Sequence, residues 1–242
     1  MSVTSSAARC DRAAAVTRSL LGYGVLAGPF YVVVGLVQGL TRTGFDLTRH
    51  DLSLLANGPL GWIQIANLVL SGLMTIAAAV GIRRALRGRR GGTWRPTLVG
   101  GYGLGLVAAG AFVADPMNGF PAGTPDRPAA ASVHGTLHLV CGGAGFLCLI
   151  AATFVLAQAF PATRAAWYSR ISGIAFLAGF AGIASGSDNP AVVLGFWAAV
   201  IIGWAWLGVL SAQLYRVTPH PARLRESLTP GSADKPRTHD GP

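Results

Sequence analysis

His134 and His138 stand four residues apart at the head of an apolar run. That spacing puts both rings on one face of a helix, where they can reach one metal ion or one substrate group. Asp115 closes the preceding apolar run, and a helix that returns beside the pair would bring its carboxylate up as a third ligand or a general base. His134, His138 and Asp115 are therefore a candidate Zn²⁺ set. A bound ion would lower the pKa of its water to about 7, with Asp51 as base and Ser53 or Asn57 orienting the substrate. His50 is the next nearby imidazole. The same groups also suit a purely structural role, because Asp before Pro, as in Asp115 and Pro116, starts turns, and a histidine at a helix end sits comfortably at a membrane interface. Both readings stay open on the residues alone. Haem does not fit, since two histidines on one helix face cannot take opposite axial positions.

The elements that would carry these groups belong to a membrane. Of 242 residues, 52% are hydrophobic and 12% charged, where a soluble domain carries roughly 25% charge. The mean hydropathy is +0.50. Crossing a hydrocarbon core of about 30 Å takes about 20 apolar helical residues. Six runs qualify, approximately Ser19 to Leu40, Gly61 to Leu86, Thr97 to Ala114, His134 to Phe160, Arg170 to Ser185 and Ala191 to Tyr215. The expected fold is all-α: a polytopic membrane protein built as a bundle of six transmembrane helices. It comprises an N-terminal tail (1–18), a transmembrane domain (19–215) and a disordered C-terminal tail (216–242) rich in Pro, Ser, Thr and charge.

Charge sets the orientation. Sixteen of the 19 basic residues fall before the first run, after the second, after the fourth or after the sixth, leaving Arg42, Arg49 and Arg127 for the other face. The positive-inside rule then places both termini in the cytoplasm of a cell-membrane protein. Topology thus accounts for the net charge of +10, and no nucleic-acid partner is implied. The cytoplasmic arginines can also meet anionic lipid heads. Five of the nine acids and three of the five histidines gather on the outer face.

Cys141 and Cys148 lie seven apart on one helix face, too far for a mutual disulfide. Gly101 with Gly105, and Gly182 with Gly186, have the four-residue spacing that lets helices approach. Trp62, Trp94, Trp167 and Trp204 read as interfacial anchors. Within the runs, Ser71, Thr75, Thr153 and Ser172 are the polar groups expected at depth.

The residues Asp51, Leu52 and Ser53, with Asn57, Gly58, Pro59, Leu60, Gly61, Trp62, Gln64 and Asn67, resemble the first block of the DUF998 family of six-span membrane proteins. The segment from Phe112 to Pro116, then Gly119, Phe120, Pro121, Gly123, Thr124 and Pro125, resembles its second. His134, Gly135, Leu137 and His138 resemble its third. The resemblance departs at Ala122 and Val133. It implies the six-span fold and an outer-face constellation that is no accident of this chain, but no reaction. The arrangement is also distantly similar to transmembrane hydrolases related to alkaline ceramidases, in which the third histidine would have to be His50. Three functions follow as expectations: a metal-assisted hydrolase or transferase acting on a lipid-like or amphiphilic substrate, a small-solute or proton-coupled transporter or binding protein, and a non-catalytic assembly factor.

Overall fold

A computed structural model describes residues 3–88, 92–126, 130–159 and 163–220. Six α-helices occur among them: α1 (Val3–Thr41), α2 (Gly61–Ala85), α3 (Trp94–Ala111), α4 (Val133–Ala159), α5 (Arg164–Ala184) and α6 (Pro190–Val217). A 3-10 turn, Leu52–Ala56, lies in the first connection. Each helix packs on the next, and α6 returns to α1. Neighbours run antiparallel. Gly101 faces Cys148 while Ala109 faces Gly142 across α3 and α4, and Gly28 faces Trp204 while Gly24 faces Ser211 across α1 and α6.

Among the described residues, four helical segments are long and apolar enough to cross a membrane: Arg12–Thr41, Gly61–Ala85, Val133–Gln158 and Pro190–Val217. Only 33 to 50% of the most apolar window in each is buried within the bundle. Exposed Leu26, Val33, Leu104, Leu147, Ile174 and Ile201 turn outward, which suits hydrocarbon and would be an aggregation surface in water.

Local rules fix the helix ends. Asn189 accepts the Ala191 N–H at 2.9 Å ahead of Pro190 in the first turn, and Thr163 accepts the Ala166 N–H at 3.2 Å. Three expectations need correction. α1 begins at Val3, well before Ser19, because its Ala-rich opening favours helix even where hydropathy is low. Trp204, read as an anchor, is 3% exposed and packs on Tyr31 and Tyr102, whereas Trp62, Trp94 and Trp167 do lie exposed. Gly186 supplies a positive φ of 74° just after α5, with open space where its Cβ would be, so it ends the helix and does not pack. Of the tail expected to be disordered, 216–242, Arg216 and Val217 are the last residues of α6, and 221–242, like Arg127, lie outside the described residues.

Candidate functional site

The loops at the end of α1 and α3 and the starts of α2 and α4 are stitched into one cap. His50 is 2% exposed. Its Nδ1 accepts the Asp46 N–H at 2.8 Å, so its Nε2 must carry the proton donated to the Asn118 carbonyl at 3.1 Å. Asn118 Nδ2 in turn donates to the Arg49 carbonyl at 3.0 Å, and Trp197 of α6 donates to the His50 carbonyl at 3.2 Å. The ring packs with Phe45 and Phe120 in a triangle whose centroids are 5.1 to 5.5 Å apart. Gly119, at φ 79°, lets the loop turn sharply enough to bury Phe120 to 1%. With both nitrogens committed, His50 has no lone pair left for a metal and is no third ligand.

Asp51 caps the 3-10 turn, accepting the Ser53 N–H at 2.9 Å and the Ser53 hydroxyl. Asn57 Nδ2 donates to the Ala114 carbonyl at 3.1 Å, linking this turn to the residue before Asp115. Arg42 closes the cap by donating to the Leu55 and Asn57 carbonyls while lying 5.0 Å over Phe120. The Arg49 to Asp126 ion pair at 3.6 Å is largely exposed and adds little.

Asp115, His134 and His138 meet where α3 ends and α4 begins. The Asp115 carboxylate accepts the Ser132 N–H at 2.9 Å, and Ser132 Oγ accepts the Gly135 N–H at 2.9 Å. A Cβ at Gly135 would lie 2.1 Å from Asp115 Oδ2, so the carboxylate occupies the place a side chain would take. It rests on the positive end of α4, where a negative charge is favoured. His138 is 6% exposed, and its Nδ1 lies 2.9 Å from the Ala109 carbonyl and 2.8 Å from that of Phe112. Both partners are acceptors, so Nδ1 carries the proton. This satisfies carbonyls that the end of α3 leaves without helical partners, and Nε2 keeps its lone pair. His134 is exposed, its ring edge-on to Phe112 at 5.9 Å.

Helical spacing therefore brings both rings to the end of α3, as expected, with Asp115 on the same helix start. The capping role is realised as well. Among the described residues, however, no group of three or more His, Cys, Asp or Glu side chains is placed to hold a metal ion. The donor set does not fit a Zn²⁺ site. No hydrogen bond or ion pair joins Asp51 or Ser53 directly to the Asp115 group.

The sequence reading placed Ser71 and Thr75 at depth but missed the row of polar side chains to which they belong. Gln38 Nε2 donates to Gln64 Oε1 at 2.9 Å, and Asn67 Nδ2 reaches that oxygen at 3.2 Å and the Tyr31 carbonyl at 3.1 Å. Ser71 stands 3.5 Å from Asn67 Oδ1, and Thr75 donates to the Ser71 carbonyl at 2.8 Å. All five side chains are buried. The four on α2, from Gln64 to Thr75, span about 17 Å at 1.5 Å per residue. The signal was present in the spacing 64, 67, 71, 75, one face of a helix, but average hydropathy hides it.

Neither a curated protein nor a solved structure matches the chain. A model for proteins of unknown function, DUF998, matches residues 25–213, from within α1 to within α6 and including the whole cap. The chain belongs to the DUF998 family.

Proposed function

We propose that this protein is a six-span component of the cell membrane with both termini in the cytoplasm, and that its outer cap acts on the polar head of a lipid-like substrate as a hydrolase or transferase. Antiparallel packing supports six spans. If α2 and α4 cross, α3 between them must carry the chain back, and α5 does the same between α4 and α6. At 1.5 Å per residue, the 18 residues of α3 and 21 of α5 reach about 27 and 31 Å. The observation that carries the chemical reading is His138. With Nδ1–H held by two carbonyls, its Nε2 is a fixed proton acceptor, the arrangement a general base requires. Asp115 and His134 supply a carboxylate and a second imidazole beside it, with Asp51 and Ser53 at the rim. No step of this reading passes through a metal.

His138→Asn separates structure from chemistry, because an amide N–H can still serve the α3 carbonyls while the Nε2 lone pair is gone. In detergent with a panel of phospholipids and ceramides, the parent should turn over at least one. The variant should keep the fold and lose the turnover by about 10²-fold or more. Absence of turnover across the panel, or an Asn variant as active as the parent, would leave the cap as a structural device. The buried row from Gln38 to Thr75 favours a second reading, a solute or proton transporter, since polar groups at bilayer depth mark pathways. Uptake into proteoliposomes, abolished by Gln64→Leu, tests it.

A further inference from the structure

At the opposite end of the bundle a cleft of about 410 Å³ opens between α1, α2 and α6, within the roughly 300–1,000 Å³ of small-ligand sites. Its wall includes Thr17, Arg84, Arg87 and Thr218, with no carboxylate among the described residues. It sits where three membrane-crossing candidates end, Arg12 at the start of one, Ala85 and Val217 at the ends of the others, which is head-group level. Arg84 is held in place: Nε donates to Thr17 Oγ1 at 2.9 Å and Nη2 to the Ala13 carbonyl at 3.3 Å. Thr17, 7% exposed, is itself tied to the Ala13 carbonyl at 2.8 Å. This leaves Arg84 Nη1 without an acceptor among the described residues. Arg87 is exposed and makes no hydrogen bond or ion pair among the described residues. Beside the cleft, Arg18 donates to the Tyr215 and Thr218 carbonyls at 2.9 and 2.7 Å and lies 3.9 Å over the Tyr215 ring, pinning α6 to α1 and keeping the cleft's third wall in place.

We infer that this cleft binds the phosphate of an anionic phospholipid. A preset guanidinium and a second one without a partner among the described residues form a donor set matched to a phosphate's oxygens, the hydroxyls of Thr17 and Thr218 being spent on the Ala13 and Leu214 carbonyls. Small apolar walls, Ala14, Ala85 and Val217, admit the glycerol end. The assignment is independent of the outer cap, since it uses other residues at the other end of the bundle.

The test is native mass spectrometry of the full chain, presented with phosphatidylglycerol or phosphatidylcholine vesicles during extraction and with or without excess inorganic phosphate. The parent should retain phosphatidylglycerol in preference to phosphatidylcholine, and inorganic phosphate should not displace it. Arg84→Gln with Arg87→Gln should weaken retention by more than tenfold, at roughly fivefold for each charge near the surface. Arg83→Gln removes an equal charge from the same helix outside the cleft lining and should behave as the parent. If the double variant does not fold, Arg87→Gln alone, which breaks no internal bond, should lose roughly fivefold. Equal losses in Arg83→Gln and Arg87→Gln would overturn the site in favour of diffuse surface charge. Displacement by inorganic phosphate, or no preference between the lipids, would overturn the lipid assignment.

Discussion

Gly105→Ala tests the link between helix packing and the cap. A Cβ there would lie 2.7 Å from the Gly145 Cα and 2.9 Å from the Cys141 carbonyl oxygen. Carbon atoms prefer about 3.5–4.0 Å, and both obstacles are backbone, so no rotamer change relieves them. α3 and α4 must part by about 1 Å. At Gly100, also in α3, a Cβ meets only the Ala79 Cβ, at 3.7 Å, which is ordinary contact. Gly100→Ala gains the same helix propensity, so comparing the two variants cancels that term and isolates the overpacking, about 1–3 kcal/mol. The His138 bonds at 2.9 and 2.8 Å cross the same helix pair one turn away, and adding about 1 Å takes them beyond hydrogen-bond range. Denaturant titration in micelles should rank Gly105→Ala below Gly100→Ala by that amount. Nitrogen-15 spectra of the histidines should show the Nδ1–H form of His138 in the parent and its loss in Gly105→Ala. Equal stability would refute the packing argument; a destabilised variant with an unchanged His138 tautomer would refute the coupling.

In a cysteine-free background, a single cysteine at Thr124 should label from outside the cell and one at Thr93 from the cytoplasm; the reverse pattern refutes the orientation. Removing 221–242 should leave thermal stability unchanged, whereas ending the chain at Leu214 also removes the two carbonyls that Arg18 holds and should lower stability by about 1–3 kcal/mol; equal melting of the two truncations refutes that anchor. The Thr48 hydroxyl and then its N–H hold the Asp46 carboxyl below its ordinary 3.8. The ionised form is thus the one the loop favours, a contribution present above 3.8 and lost as pH falls through the lowered native value. The Thr48 amide resonance should titrate with a midpoint below 3.8, and a midpoint at or above it refutes the account.

The helices were legible because apolar runs of membrane length admit one satisfied backbone arrangement. Where residues were polar yet helical, as at the start of α1, hydropathy missed them. Asp115, His134 and His138 were placed at one end correctly, since helix ends and i,i+4 spacing are local properties. What each ring nitrogen does was not legible. His138 faces the carbonyls of Ala109 and Phe112 only after α3 and α4 dock, and His50 loses both nitrogens to a loop 68 residues away and to its own turn. A three-point ligand set depends on those directions, and helical spacing sets only positions. Arg95 shows the same limit. It reads as loop charge, yet it is 2% exposed in the first turn of α3.

The two kinds of helix contact divide the work of specifying the bundle. Between α2, α3 and α4 the backbones approach at Gly72 with Gly103 and at Gly105 with Gly145, where any Cβ would fall within 3.1 Å of the opposing backbone. Such contacts gain dispersion energy in a solvent that gives no hydrophobic drive. They do little by themselves to set register, because small residues are frequent along all three helices. α1 and α2 also approach closely, at Gly81 beside the Leu21 backbone, but are joined as well by the bonds from Gln38 to Gln64 and from Asn67 to the Tyr31 carbonyl. Each such bond is worth only about 0.6 kcal/mol in measured cases, but a slip of one turn, about 5.4 Å, would break all of them together and leave amides in hydrocarbon. The polar row thus fixes which turn of α1 faces which turn of α2. Through Arg42, which follows α1 and grips the carbonyls of Leu55 and Asn57, that register also sets where the cap sits.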